Sequence, residues 1–192
     1  ASIAGLSNVE TLVVDGEDLS TFPNASFDAV ISRVGLIYFP DRHRALRGML
    51  RVLRSGGRVG AIVYSTPENN GFFSLPVSII RRHAGLAPPE PGMPGPFSLG
   101  SPGVLEKALS AAGFSEIVIR KVDAPLLLPT AADCLRFEQE SFGALHQMLS
   151  GLDAAGKKAA WDEIAEVLGN FQTAAGFEGP CELLVAAGTK PV

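Results

Sequence analysis

Two short polar clusters follow apolar runs, and both carry residue types that can hold a small molecule. Asp15-Gly16-Glu17-Asp18 comes directly after Val9–Val14, and Ser32-Arg33-Val34-Gly35 closes the run that begins at Phe27. A carboxylate such as Asp15 can accept hydrogen bonds from an exocyclic amine or a ribose hydroxyl. Gly16 lets a backbone N–H approach the edge of a base. Arg33 can grip a carboxylate through its planar fork. Ligands of open α/β sheets bind outside the carboxyl ends of strands, which is where both clusters would lie. Plainer readings stand beside these: a solvated acidic turn for the first, and an arginine lying over apolar neighbours for the second.

Other chemistries lack their residues. His43, His83 and His146 are widely separated and have no metal-ligand spacing, so neither zinc nor iron is expected. Cys134 and Cys181 stand alone, which points to two reduced, buried thiols, with one disulfide between them as the alternative. The chain has no G-x-S-x-G elbow, P-loop or G-x-G-x-x-G fingerprint. Gly56-Gly57 precedes a strand, whereas phosphate-binding loops precede a helix. His43, His83 and Tyr64 are weak candidates for a general base, and no catalytic residue is assigned.

The elements that must position the two clusters read as an α/β chain. Val9–Val14 and Phe27–Ser32 look like parallel-sheet strands covered on both faces. Asp41 can cap a helix whose Leu46, Met49, Leu50 and Leu53 share one face, with Ser55-Gly56-Gly57 as its left-handed stop. Arg58–Tyr64 is the next strand and completes a right-handed βαβ unit. Seven prolines between Thr66 and Gly100 leave only Phe72–Ala84 able to form a helix in that stretch. Ser101-Pro102 opens another helix, with Val104, Leu105, Ala108, Leu109 and Ala112 on one face and Gly113 as its stop. Glu116–Val122 and Glu182–Thr189 are the last strands. Leu135, Phe142, Leu145 and Leu149 on one stripe, and Trp161, Ile164, Ala165 and Leu168 on another, predict a helical hairpin between them. The expected organisation is one domain over 1–192, with a proline-rich cover at 66–100 and a helical insertion at 125–180.

With 192 residues, 46% of them hydrophobic and a net charge of -4, the chain can bury a core but offers no basic field for nucleic acid or anionic membrane. Its apolar runs fall far short of the roughly 20 residues of a membrane-spanning helix. The first residues show no secretory signal, so the expectation is a cytoplasmic protein with small or neutral partners.

Read together, Val13-Val14-Asp15-Gly16-Glu17-Asp18-Leu19, Ser26-Phe27-Asp28-Ala29-Val30-Ile31-Ser32-Arg33, Phe39-Pro40-Asp41 and Val52-Leu53-Arg54-Ser55-Gly56-Gly57-Arg58-Val59 resemble the later motifs of the class I S-adenosylmethionine-dependent methyltransferases. The likeness is nearest to the branch of ubiquinone and menaquinone biosynthesis enzymes and small-molecule methyltransferases. It implies a Rossmann-like sheet in the order 3-2-1-4-5-7-6, with the seventh strand antiparallel and only the later strands present. It also implies S-adenosylmethionine as cofactor, held by Asp15 and Gly16 at the adenine and by Ser32, Arg33 and Val34 at the methionine end. The family's first two strands, with the glycine-rich turn and the ribose-binding acid, would precede Ala1.

Two functions follow from the resemblance. One is methyl transfer to a small, apolar or aromatic acceptor, with the proline-rich segment and the helical hairpin closing over it. The other is a non-catalytic methyltransferase-like fragment that serves as a binding or dimerisation module. In either case residues 1–20 are expected to refold onto the exposed edge of Phe27–Ser32 or to be completed by another chain, giving a homodimer or an edge-paired assembly.

Overall fold

The computed structural model describes residues 5–90 and 92–192. Its main sheet has four strands in the order β1-β2-β7-β3: β1 is Phe27–Arg33, β2 Leu53–Tyr64, β3 Ser115–Asp123 and β7 Glu182–Thr189. β1 and β2 are parallel, and β7 runs antiparallel between β2 and β3. This matches the fourth, fifth, seventh and sixth strands of the order that the resemblance implies. The carboxyl ends of β1, β2 and β3 therefore share one edge with the start of β7.

Helix α1 (Arg42–Val52) joins β1 to β2. The Asp41 carboxylate accepts from the Arg44 N–H at 2.9 Å, and Ala45, Leu46, Met49 and Val52 are buried. The expected glycine stop is corrected: the helix ends at Val52 and the chain extends at Leu53, whose N–H bonds the Met49 carbonyl. Ser55-Gly56-Gly57 instead forms a bulge inside β2, since Phe27 faces Leu53 but Ala29 faces Arg58. Gly56 takes φ +73° there, a conformation that suits glycine. The Lys190 ammonium satisfies the Leu53 carbonyl at 2.7 Å, so the C-terminal segment closes the bulge.

Helix α2 (Gly71–His83) and helix α3 (Val104–Ala112) flank the proline-rich segment. The expected start at Ser101-Pro102 moves inward: Gly103, at φ +76°, precedes the first turn, and Gly113, at φ +102°, ends the helix as expected. Between β3 and β7 lie β4 (Leu126–Leu128), α4 (Ala131–Ser141), α5 (Gly143–Met148), α6 (Ala154–Gly169), β5 (Gln172–Thr173) and β6 (Gly176–Gly179). The expected two-helix hairpin is thus three helices, because Phe142 leaves helical geometry between α4 and α5. A small β4-β6-β5 sheet, absent from the sequence reading, closes the insertion.

Two apolar clusters result. One packs α1 and α3 on a single face of the main sheet through Leu46, Leu53, Val63, Leu105, Leu109 and Leu184. The other binds α2 to the insertion through Phe73, Ile80, Leu145, Ile164, Leu168 and Phe177, and Tyr64 touches both. The second cluster buries Glu138 completely, with neither carboxylate oxygen hydrogen-bonded.

The expected strand Val9–Val14 is corrected. Those residues form no strand and are exposed, Val13 fully so, because no neighbouring strand offers them a ladder among the described residues. Residues 15–24 lie along α1 instead, where the Arg51 guanidinium donates to the Leu19 and Phe22 carbonyls and Leu19 packs on Gly48. Of the refolding expected for 1–20, residues 1–4 lie outside the described residues, and from Gly5 onward no strand pairs with the edge of β1. The expectation of strands covered on both faces is also corrected. Ile31, Val118, Val122 and Val185 lie on the sheet face opposite α1 and α3, and all are exposed, Ile31 at 78%.

Two stability outcomes follow. A Cβ on Gly100 would sit 2.0 Å from the Ser65 carbonyl oxygen, whereas Gly95 has open space. Gly100→Ala should cost about 1–3 kcal/mol in chemical denaturation while Gly95→Ala stays near wild type; equal effects would refute this packing. Burial pushes the Glu138 carboxyl from 4.5 up to about 8. The native state then keeps a proton that the unfolded chain has released, so stability should fall as pH rises from 4.5 to about 8. Thermal melts across that window should show Glu138→Gln losing this slope, and parallel curves for the two proteins would contradict the burial.

Candidate functional site

The carboxyl edge of β1 and β2 is covered by α2 and the insertion, and Tyr64 closes β2 there. Its ring stacks on Phe73 at 6.3 Å and meets Phe72 and Phe97 at 6.2 and 6.1 Å. Burial pushes its hydroxyl above the ordinary tyrosine range, with smaller upward contributions from Cys181, Tyr38 and Glu138 and an opposing one from Arg33. Five polar or titratable side chains from separate parts of the chain thus lie within electrostatic reach of each other at one edge. Burial also raises Tyr38 and Cys181, and it takes the Cys134 thiol up to about 12, so neither thiol is ionised at neutral pH. Both cysteines are free.

Arg33 reaches this site from the end of β1, on the sheet face that α1 and α3 leave bare. Val34 follows at φ +58°, an unusual conformation for a β-branched residue, held by its N–H to the Ile62 carbonyl at 2.8 Å. The Val34 donor is therefore used by the sheet. Ser32 is half-buried, with its hydroxyl beside Gly35.

Asp15 and Gly16 sit elsewhere along the same edge. The Asp15 carboxylate accepts from the Glu17 N–H at 2.9 Å, and Glu17 in turn accepts from the Asp41 N–H at 2.9 Å. Asp18 pairs with Arg44 at 3.7 Å, and its carboxyl is held below the usual range, chiefly by the Ser20 hydroxyl. Gly16 lies under the Phe39 ring, which would be 2.4 Å from any Cβ there. The acidic turn has thus lost its strand but is docked on the Phe39-Pro40-Asp41 loop that follows β1. The two predicted clusters flank that loop, and no contact joins Asp15 to Arg33.

A cavity of about 850 Å³ opens beside this loop, between α1, α2, α3 and the proline-rich segment. Asp41, His43, Val77, Phe97 and Val104 help to line it. Arg42 donates to the Gly92 and Ser98 carbonyls and Arg81 to that of Ala87, so the prolines are strapped across its mouth. His83 lies apart, bonded to Glu163 at 2.8 Å on the outside of the cap.

Sequence reasoning missed Glu138, Tyr38 and Cys181. One signal was available for Glu138. Ala131, Leu135 and Phe142 define an apolar stripe at helical spacing, and Glu138 stands on it where an apolar residue belongs. Tyr38 and Cys181 had none, because only the tertiary fold brings them to Tyr64. No group of side chains suited to a metal ion occurs among the described residues, and none of their helices is long and apolar enough to cross a membrane.

The chain is similar to known proteins in sequence and in fold. A family model described as a methyltransferase domain matches residues 2–61. Nocamycin O-methyltransferase from Saccharothrix syringae is 29% identical over 144 residues, covering 68% of this chain and 50% of that protein. The ubiquinone/menaquinone biosynthesis C-methyltransferase of Hahella chejuensis is 44% identical over 62 residues, 32% of this chain and 24% of its own length. The chain thus spans half or less of these curated relatives. A crystal structure of a candidate methyltransferase from Bacillus halodurans C-125 superposes with a TM-score of 0.60 at 18% identity, covering all of this chain and 75% of that one. Motifs, strand order and these similarities agree: the chain carries a methyltransferase-domain match over its first third and is similar in sequence and fold to class I S-adenosylmethionine-dependent methyltransferases.

Proposed function

We propose that this chain builds the acceptor side, and part of the cofactor side, of a site for S-adenosylmethionine-dependent methyl transfer to a small apolar or aromatic molecule. The observation that carries this reading is the convergence of Arg33, Tyr38 and Tyr64 on the carboxyl edge, beneath an aromatic cap. Both curated relatives are named as methyltransferases, one for oxygen and one for carbon, which supports the reaction class.

The residues present fit part of the cofactor. Asp15 is exposed and has one carboxylate oxygen free for the adenine amine, and Phe39 over Gly16 offers an apolar ring beside it. Arg33 is the cation for the carboxylate at the amino-acid end. Residues for the ribose are not found in this set. When bound, S-adenosylmethionine supplies an electrophilic methyl group on its sulfonium. The chain's own contribution is to align the acceptor and exclude water. The Tyr64 ring, half-buried and stacked on Phe73, and the Phe97 ring tilted against both provide apolar packing, and the strapped proline segment partly covers the neighbouring cavity.

Calorimetric titration with S-adenosylhomocysteine tests the cofactor assignment. Binding is expected, and Asp15→Ala and Arg33→Ala should each weaken it about tenfold, the loss of one charge-assisted hydrogen bond. Unchanged affinity in both variants would remove both assignments.

The bare sheet face favours a second, compatible reading, in which another chain or a second copy pairs with β1 and covers Ile31, Val118 and Val185. Light scattering should then give a mass above that of one chain, and Ile31→Lys should lower it. A monodisperse monomer would count against this assembly.

A further inference from the structure

We propose that Glu138 is an acceptor-binding residue, which makes the site selective for aromatic or similarly flat molecules that bring a hydroxyl or amine donor. This rests on the proposed methyl-transfer site but concerns a group that neither the family motifs nor the relatives assign.

The case begins with an imbalance. Glu138 lies on α4 at 0% exposure, and both carboxylate oxygens lack a hydrogen-bond partner. Buried polar groups are almost always paired, and a buried carboxyl with no partner is among the costliest departures. None of its surroundings repairs it. The side chains packed in this cluster are apolar, and the titratable groups that feel its charge are Cys134, one turn earlier on α4, and Tyr64 at the end of β2. Neither donates to it, and among the described residues no lysine or arginine forms an ion pair with it. A core residue that served packing alone would not need the carboxyl, since Leu or Met would fill the same position on the stripe.

Its placement points to a ligand. Ring contacts lead from the candidate site to the neighbours of Glu138 on α4: Tyr64 stacks on Phe73, Phe73 meets Phe142 at 4.6 Å, and Phe142 meets Phe137 edge-on at 5.4 Å. Phe137, adjacent to Glu138 in sequence, and Phe142, one turn further on, are only half-buried. Phe142 is also the non-helical joint between α4 and α5, where Gly143 has open space around it. A flat molecule that replaced the Phe142 ring against Phe73 would bring its own donor to the carboxyl. This single exchange satisfies the orphaned oxygens and keeps the apolar stack.

Two probes of nearly equal shape test the idea: 2-naphthol, which donates a hydrogen bond, and 2-methylnaphthalene, in which a methyl group replaces the hydroxyl. The whole chain is titrated with each by calorimetry, beside S-adenosylhomocysteine, and thermal melts of every variant report folding. Wild type is expected to prefer 2-naphthol by about tenfold. Glu138→Leu should erase the preference while melting at or above the wild-type temperature, and Glu138→Gln, whose amide oxygen still accepts, should keep part of it. A retained preference in folded Glu138→Leu, or no preference in wild type, overturns the assignment. Loss of S-adenosylhomocysteine binding with the naphthol preference intact would instead refute the methyl-transfer reading and leave Glu138 in place.

Discussion

Asn70 holds the whole edge together. It is fully buried, and its amide nitrogen donates to the Ser65 hydroxyl at 3.1 Å and the Thr66 carbonyl at 2.9 Å, while its oxygen accepts from the Glu182 N–H at 3.1 Å. One side chain thus fixes the end of β2, the approach to α2 and the start of β7. Both long excursions of the chain depart from or return to that point. The cap consequently sits over the carboxyl edge. A buried amide with its partners in place is strong because each unmade bond would leave a dry polar group. Gly100 against the Ser65 carbonyl closes the same corner from the proline-rich side.

That corner explains how the chain separates its two tasks. The α1/α3 cluster stabilises the sheet from one side, and the α2/insertion cluster forms a second body above the edge, with Tyr64 as the residue common to both. Polar side chains from β1, β2 and the insertion can then converge without any belonging to a contiguous motif. The opposite sheet face carries no helix among the described residues, so the apolar side chains of β1, β3 and β7 on that face meet solvent. Sheets of this kind are normally covered on both sides, which makes the bare face and the open edge of β1 parts of one unmet requirement.

Much of this was legible from residues alone, because it depended on local pattern. Asp41 before an apolar stripe announced α1, Gly113 announced the end of α3, and the run Glu182–Thr189 announced β7 to its exact ends. Failures came where tertiary context decides. Val9–Val14 has the composition of a strand but lacks a neighbour to pair with. Gly56-Gly57 has the composition of a helix stop but is spent on a bulge, since β2 begins as soon as α1 ends. The acidic turn was read at the right edge for a partly wrong reason: what places Asp15 and Gly16 there is the Glu17 bond to Asp41 and the Phe39 ring, not a strand. Glu138 was visible only as a charge on an apolar stripe, and its convergence with Tyr64 was invisible.

The central claim is that the carboxyl edge between the acidic turn and Tyr64 is where the cofactor and acceptor meet. Hydrogen exchange with and without S-adenosylhomocysteine examines this at residue resolution. Slower exchange should appear in Asp15–Asp18 and Arg33–Phe39, with β3 and the outer surface of α6 unchanged. Protection confined to α6 or β3, or none at saturating ligand, would contradict the account.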